Sequence, residues 1–434
     1  MHMDINFTDF SLGDMGYEYF PKLARVRQNF DIVQIDDLAA AVKEQFAREK
    51  IASQVKEGMT VAVLVGSRGI HGLSTIVRTT IDELKRLGAK PFIVPAMGSH
   101  GGATPEGQKD LLASYNVTEE SMGVEIHAGM EAEVMGRTDY GVNVYFSKEA
   151  LKADAVLPIN KIKLHTDFRG KTESGIIKLM TIGAGKQAGA ESLHYYGGDM
   201  FATLLPDAYN IIVEKVNVLF GIGVVENANE HLAIVEAIPT ENIYQRESEL
   251  LEIAKKYMAR ILVEEFDALI VGACGKNFSG YGMDPNITGR FTIAGLTGGP
   301  KYQRLALLSV SEESHGNAQG IGLADIIPES LLKECQFQHM YMNGITSKMT
   351  LELSKVPIVA KDDRDAIALM LRTCVRVEKG KERVVAIPNT LKLQELLVSE
   401  SLLEEIKDDP RFTILEEPKP MEFDENGKFT MFRK

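Results

Sequence analysis

The sequence predicts an α/β protein: two α/β domains with mainly parallel sheets and an active-site cleft between them. Three observations lead there. Short apolar, β-branched runs recur along the chain, each ends in a glycine-rich or polar loop, and stretches with helical spacing follow. At 434 residues the chain has room for about two or three domains. A division after Glu265 gives an N-terminal domain, 1–265, and a C-terminal domain, 266–434, that closes over a substrate.

The run MTVAVLVG, Met59 to Gly66, is too short for a buried helix and reads as a parallel strand. It ends in SRGIHG, after which Leu73 to Leu87 carries helical spacing and stops at Gly88. A second strand, PFIVPA, starts at Pro91 and ends in MGSHGG; the next helix starts at Thr104, a good N-cap, with Pro105 in its first turn. DAVLPIN, Asp154 to Asn160, is a third core strand and runs into the polar stretch KIKLHTDFRGK, and Val216 to Val225 is a further strand candidate. From Thr240 to Glu265 one long helix is expected, with Ile243, Leu250, Leu251, Ala254, Met258, Ile261 and Leu262 on one side, connecting the domains. FDALIVGA from Phe266, VPIVA near Val356 and RVVAIP near Arg383 build the second domain, which finishes in a charged tail.

The composition excludes several classes of function. With 44% hydrophobic and 25% charged residues the chain is neither wholly disordered nor fibrous. No run of about 18 apolar residues suggests a membrane span, and the start, MHMDINFTDF, has acids where a signal peptide needs bases; a cytoplasmic protein is expected. A net charge of −13 argues against nucleic acid or an anionic membrane as partner. Cys274, Cys335 and Cys374 are too few and too far apart for a disulfide framework or a Cys-only metal site.

Ligands of open α/β sheets bind at the carboxyl ends of strands, so polar residues just after a strand carry the functional reading. Arg68, between Ser67 and Gly69, suits a carboxylate, which a guanidinium grips with two hydrogen bonds. His100, in Gly98-Ser99-His100-Gly101-Gly102, is presented with little bulk around it, as proton transfer requires. His165 follows Lys161 and Lys163, cations that favour its neutral form. Lys178, between Ile177 and Leu179, is a candidate for covalent attachment or a lysine snorkelling from a buried helix. Gly183, Gly185 and Lys186 precede a helical stretch whose N–H groups would cradle a phosphate, without the full spacing of a nucleotide-triphosphate loop. In the second domain Lys276, Asn277, Asp284, Asn286 and Arg290 fall in a glycine-rich polar loop after a strand and are candidates to bind substrate.

The set Arg68, His100 in a Gly-Ser-His loop, His165, Lys178 followed by Gly183, and His194 resembles the nickel-pincer lactate racemase family. The likeness covers the chain from about Val61 to Arg290. It implies a nickel pincer nucleotide, a pyridinium mononucleotide with two sulfur-bearing arms, attached covalently through Lys178, with His194 completing a square-planar nickel. It also implies Arg68 on the substrate carboxylate and His100 and His165 on opposite faces of C2, with hydride leaving C2 for the cofactor and returning on either face. The family's Asp-x-Thr-Arg-Pro is here Val65-Gly66-Ser67-Arg68-Gly69, its Gly-Gly-x-Lys is Gly175-Ile176-Ile177-Lys178, and GKNFSGYGMDPNITGR replaces the Tyr-Gln and Lys pattern that touches lactate. The expected reaction is therefore racemisation or epimerisation of a 2-hydroxy acid more polar than lactate, a sugar acid or hydroxy-diacid. The expected partners are that small molecule and the enzymes that make the cofactor, and a homo-oligomer is compatible. Two other readings stand beside it: a non-catalytic binder of an anionic nucleotide or metal, and a zinc hydrolase using His100, His165 and His194.

Overall fold

The strand Leu23–Gln28 (β1) does not belong with the chain just after it. The computed structural model describes residues 19–67, 69–347 and 351–432. One unit runs from Ile32 to Met258, and the other joins the chain up to Asp31 to the chain from Ala259 onward. β1 pairs antiparallel with Glu395–Ser399 and with Phe412–Lys419, so this strand lies in a sheet with β-strands from the 266–434 stretch, not in a 1–265 domain. Arg25 and Arg27 alternate with Ala24 and Val26, which hides the strand from a search for apolar runs.

The Ile32–Met258 unit is built on Thr60–Val65 (β2), Lys90–Pro95 (β3), the hairpin Ala132–Arg137 (β4) and Asn143–Ser147 (β5), Ala155–Lys161 (β6), Phe220–Glu226 (β7) and Leu232–Pro239 (β8). Five of these form one sheet in the order β3-β2-β6-β7-β8, parallel except for β8. Its strands bury both faces: Ala62 and Leu64 enter one core, Val61, Val63 and Val65 the other. That double burial is why the run reads as continuously apolar, and each fully buried Val or Leu contributes about 1.5–3 kcal/mol. The chain leaves β2 toward β3 on one side and returns to β6 on the other, so the crevice between β2 and β6 is the switch point where such sheets take ligands.

The helices largely follow the sequence. Leu73–Arg86 covers one face, and Pro105–Ala113 starts on Thr104, whose side chain accepts from the Gly107 N–H. The long helix is shorter than its pattern: Ile243–Tyr257 ends at Met258, which takes extended dihedrals. Ile261 and Leu262 are buried, but by the other unit, where the Gln28 amide oxygen receives the Leu262 N–H at 2.7 Å.

The second unit carries Ala268–Val271 (β9), Arg304–Leu307 (β10), Ile326–Pro328 (β11), Ile358–Ala360 (β12), Val384–Ile387 (β13), Glu395–Ser399 (β14) and Phe412–Lys419 (β15). The sheet order is β12-β11-β10-β9-β13-β14-β1-β15, with β9 to β13 parallel and a second switch point between β9 and β13. No helix among the described residues is long and apolar enough to cross a membrane.

Candidate active site

The loop after β2 is stapled to the strands beside it. Lys161, at the end of β6, donates to Glu226 at 2.7 Å and to the Gly69 carbonyl at 3.0 Å, and the other Glu226 oxygen receives the His71 N–H at 3.0 Å. The ends of β6 and β7 thus hold the path of the loop that carries Arg68, a residue outside those described.

His100 follows β3 in a loop that turns through left-handed glycines at Gly98, Gly101 and Gly102. The ring is exposed, and its Nδ1 meets the Ser67 hydroxyl at 2.5 Å. Ser67 is fixed in turn by Tyr115, whose hydroxyl donates to the Ser67 carbonyl at 3.0 Å. The crossing from the β2 loop to the β3 loop orients the imidazole, an interaction the sequence reading missed because residues 33 apart give no local pattern.

His165 and Lys178 form a direct pair, Nε2 to Nζ. The Asp167 N–H donates to His165 Nδ1 at 3.0 Å, and the His165 N–H donates to Glu173 at 2.6 Å. With Nδ1 taken up by the Asp167 N–H, Nε2 is the ring nitrogen that faces the Lys178 amine.

Lys178 ends a short helix, Ile176–Lys178, that continues into a π turn, Leu179–Gly183. Its start is clamped twice. Asn160 of β6 donates to the Gly175 carbonyl at 2.5 Å, and Glu247, fully buried on Ile243–Tyr257, receives the N–H groups of Ile176 at 2.6 Å and Ile177 at 3.1 Å. A Cβ on Gly175 would collide with the Glu247 carboxyl, so this position takes only glycine. Burial pushes the Glu247 carboxyl up to about 7, with the two N–H donors pulling the other way.

The expected phosphate cradle is not what these residues build. A Cβ on Gly183 would collide with the Ala96 carbonyl oxygen, and one on Gly185 would sit 2.7 Å from that of Thr181; both glycines serve close packing. Lys186 is 0% exposed and donates to the Pro95 carbonyl at 2.6 Å and to Gln108 Oε1 at 3.1 Å. Burial pulls its amine down to about 8, with Glu149 opposing. A lysine so enclosed offers no cation to an incoming phosphate.

His194 ends the helix Lys186–His194, and its Nδ1 lies 2.6 Å from the Ala190 carbonyl oxygen. Nδ1 is therefore the donor and Nε2 carries the lone pair, the arrangement of a metal-ligating histidine fixed from behind. Burial lowers its pKa, and the Lys178 charge lowers it further, against the Ala190 hydrogen bond. Aromatic packing links the two ends of the site: His165 to Phe168 at 4.7 Å, Phe168 to Phe201 at 5.4 Å, Phe201 to His194 at 5.0 Å. No group of three or more His, Cys, Asp and Glu side chains among the described residues is placed to hold a metal, so His100, His165 and His194 do not form a zinc-hydrolase centre.

In the second unit Lys276 and Asn277 follow β9 at the carboxyl edge. The Lys276 amine donates to the Gly280 carbonyl at 2.7 Å, and Asn277 Oδ1 accepts from Ser311 at 2.7 Å and Ser314 at 3.3 Å. Arg290 is not with them. It pairs with Asp325 at 2.8 Å, donates to the Gln303 carbonyl and lies 5.0 Å from the Tyr302 ring. Gln303 and Asp325 immediately precede β10 and β11, so Arg290 closes the amino edge of the sheet, a structural duty at the end away from Lys276.

Comparison with known proteins bears on the fold. The family model of the lactate racemase N-terminal domain matches residues 23–186. The solved lactate racemase apoprotein from Thermoanaerobacterium thermosaccharolyticum shares the fold, with a TM-score of 0.52 at 13% identity, over 86% of this chain and 99% of that one. No curated protein matches. Residues 23–186 thus resemble the N-terminal domain of lactate racemase, and the α/β architecture of the chain is that of the lactate racemase apoprotein.

Proposed function

We propose that this protein is a racemase or epimerase of a polar 2-hydroxy acid, working with a nickel pincer nucleotide held by Lys178 and His194. The observation that carries the reading is the pairing of Lys178 with His165 beside a histidine whose Nδ1 is committed to a carbonyl. The donor set would fit the group: the half-buried Lys178 amine for the covalent link, and the His194 Nε2 for a metal. When bound, that group supplies an acceptor and donor of hydride at C2.

The chain's own residues handle the proton and the orientation. His100, oriented by Ser67, and His165, oriented by the Asp167 N–H, hold and move the proton of the C2 hydroxyl, one for each face. Arg68 is the partner proposed for the substrate carboxylate. Lys276 and Asn277 are the residues proposed for further hydroxyls or a second carboxylate. The substrate proposed is accordingly a hydroxy acid more polar than lactate.

The test is to express the protein beside the cofactor-making enzymes, measure its intact mass, and map the adduct. The added mass belongs on the peptide containing Lys178; an adduct on Lys171 or Lys186 refutes the assignment. Loaded protein is then offered aldonic, uronic and dicarboxylic hydroxy acids against lactate. Lactate turning over as well as the best of them overturns the substrate class, and rapid loss of C2 deuterium to solvent overturns the hydride chemistry.

A further inference from the structure

Lys186 combines two costly conditions. Its charged side chain is wholly buried, and its backbone is left-handed, with φ 56°. Such residues persist where the surroundings over-determine them, and they concentrate at functional sites. Its amine takes the Pro95 carbonyl, the last of β3, and Gln108 Oε1. Gln108 is equally buried, and its Nε2 donates to the carbonyls of Gly98 at 3.0 Å and His100 at 3.3 Å.

The direction of these bonds is dictated by chemistry. An amide side chain has an accepting end and a donating end, whereas a lysine only donates. With Lys186 on one side of Gln108, Oε1 must face the amine and both Nε2 hydrogens must face the loop. The same loop is held from below, where the Gly98 N–H donates to the Gly183 carbonyl at 3.0 Å. Lys186 belongs to the stretch that carries Lys178 and His194, so one buried amine ties the attachment segment to the end of β3 and to the backbone of His100.

We propose that Lys186 is a positioning residue for His100, acting through Gln108 and registering the His100 loop against the Lys178 to His194 segment. This rests on the acid–base role proposed for His100, while its test is independent of turnover. The probe is diethyl pyrocarbonate, with the acylation rate of each histidine read by mass spectrometry across pH, together with amide hydrogen exchange of the unloaded protein. Lys186→Met keeps the length of the stem and removes the donor. Gln108→Glu keeps an acceptor for Lys186 and sets a carboxylate against the two loop carbonyls.

Loss of a hydrogen bond to the loop accelerates exchange across 97–103 by about fivefold or more. The rate and pH midpoint of His100 acylation shift with it, while those of His71 and His231 stay at the parent values. Unchanged exchange and unchanged His100 reactivity in the folded variants overturn the proposal, as does a common shift of every histidine, which marks a general loosening. Should Lys186→Met fail to fold, Gln108→Glu decides by the same readings. A protein that fails to racemise any hydroxy acid leaves this outcome untouched.

Discussion

Replacing Glu247 with Gln removes an ionisable group and almost nothing else. The amide oxygen still accepts from Ile176 and Ile177, and the volume is unchanged. In the parent, burial raises the carboxyl from 4.5 to about 7. A carboxyl whose folded value lies above its unfolded one stabilises the fold most at low pH, and that contribution is lost as pH rises from 4.5 through about 7. At about 1.36 kcal/mol for each pH unit between the two values, ionisation above pH 7 costs ~3 kcal/mol. The substituted amide has no charge to bury, so Glu247→Gln gains on the parent by about 2–3 kcal/mol between pH 5 and pH 8. Urea titrations of both proteins across that range, followed by circular dichroism, measure the swing. A difference in stability that stays constant with pH would show that the carboxyl is not held neutral by burial, and the reasoning would fail.

Other expected outcomes concern the site and the sheet edge. His194→Ala lowers the nickel retained by loaded protein without changing its circular dichroism; equal nickel content in both proteins removes His194 from the ligand set. His100→Ala and His165→Ala each cut turnover by something like 10²- to 10⁴-fold, and a change below tenfold in either would exclude it as a proton carrier. Arg290→Ala costs about 1–2 kcal/mol of stability through the lost Asp325 pair and Tyr302 stacking while KM stays put. A large rise in KM at parental stability would return Arg290 to the substrate.

Much of this was legible along the chain because burial on both faces writes a local signature. β2, β3, β6, β9 and β13 are apolar runs ending in turns, and within each sheet the parallel strands bring the loops after them to one edge. The loops after β3 and β6 carry His100 and the stretch leading to His165. Lys178 and His165, 13 residues apart, meet because the loop folds back on itself. The illegible part comes from partners distant in sequence. Glu247 reaches a helix start 71 residues away and Gln108 meets Lys186 across 78, and no periodicity marks either residue as anything but the polar side of a helix. Lys186 misled for a specific reason. Glycines before a lysine describe a phosphate loop and a close-packed corner equally well, and only burial separates them.

The pairing of β1 with β14 and β15 sets an order on synthesis. Arg25 and its partner Glu416 are separated by 391 residues, and the whole Ile32–Met258 unit is made between them. As the chain leaves the ribosome, that unit has its strands in hand and can close on itself while β1 waits. The waiting strand has two unpaired edges, a state prone to mispairing, and its Arg25 and Arg27 guard it by charge. A nascent chain stopped before Phe412 therefore holds every strand of the Ile32–Met258 unit, while β1 has β14 as its one partner and an open edge where β15 belongs.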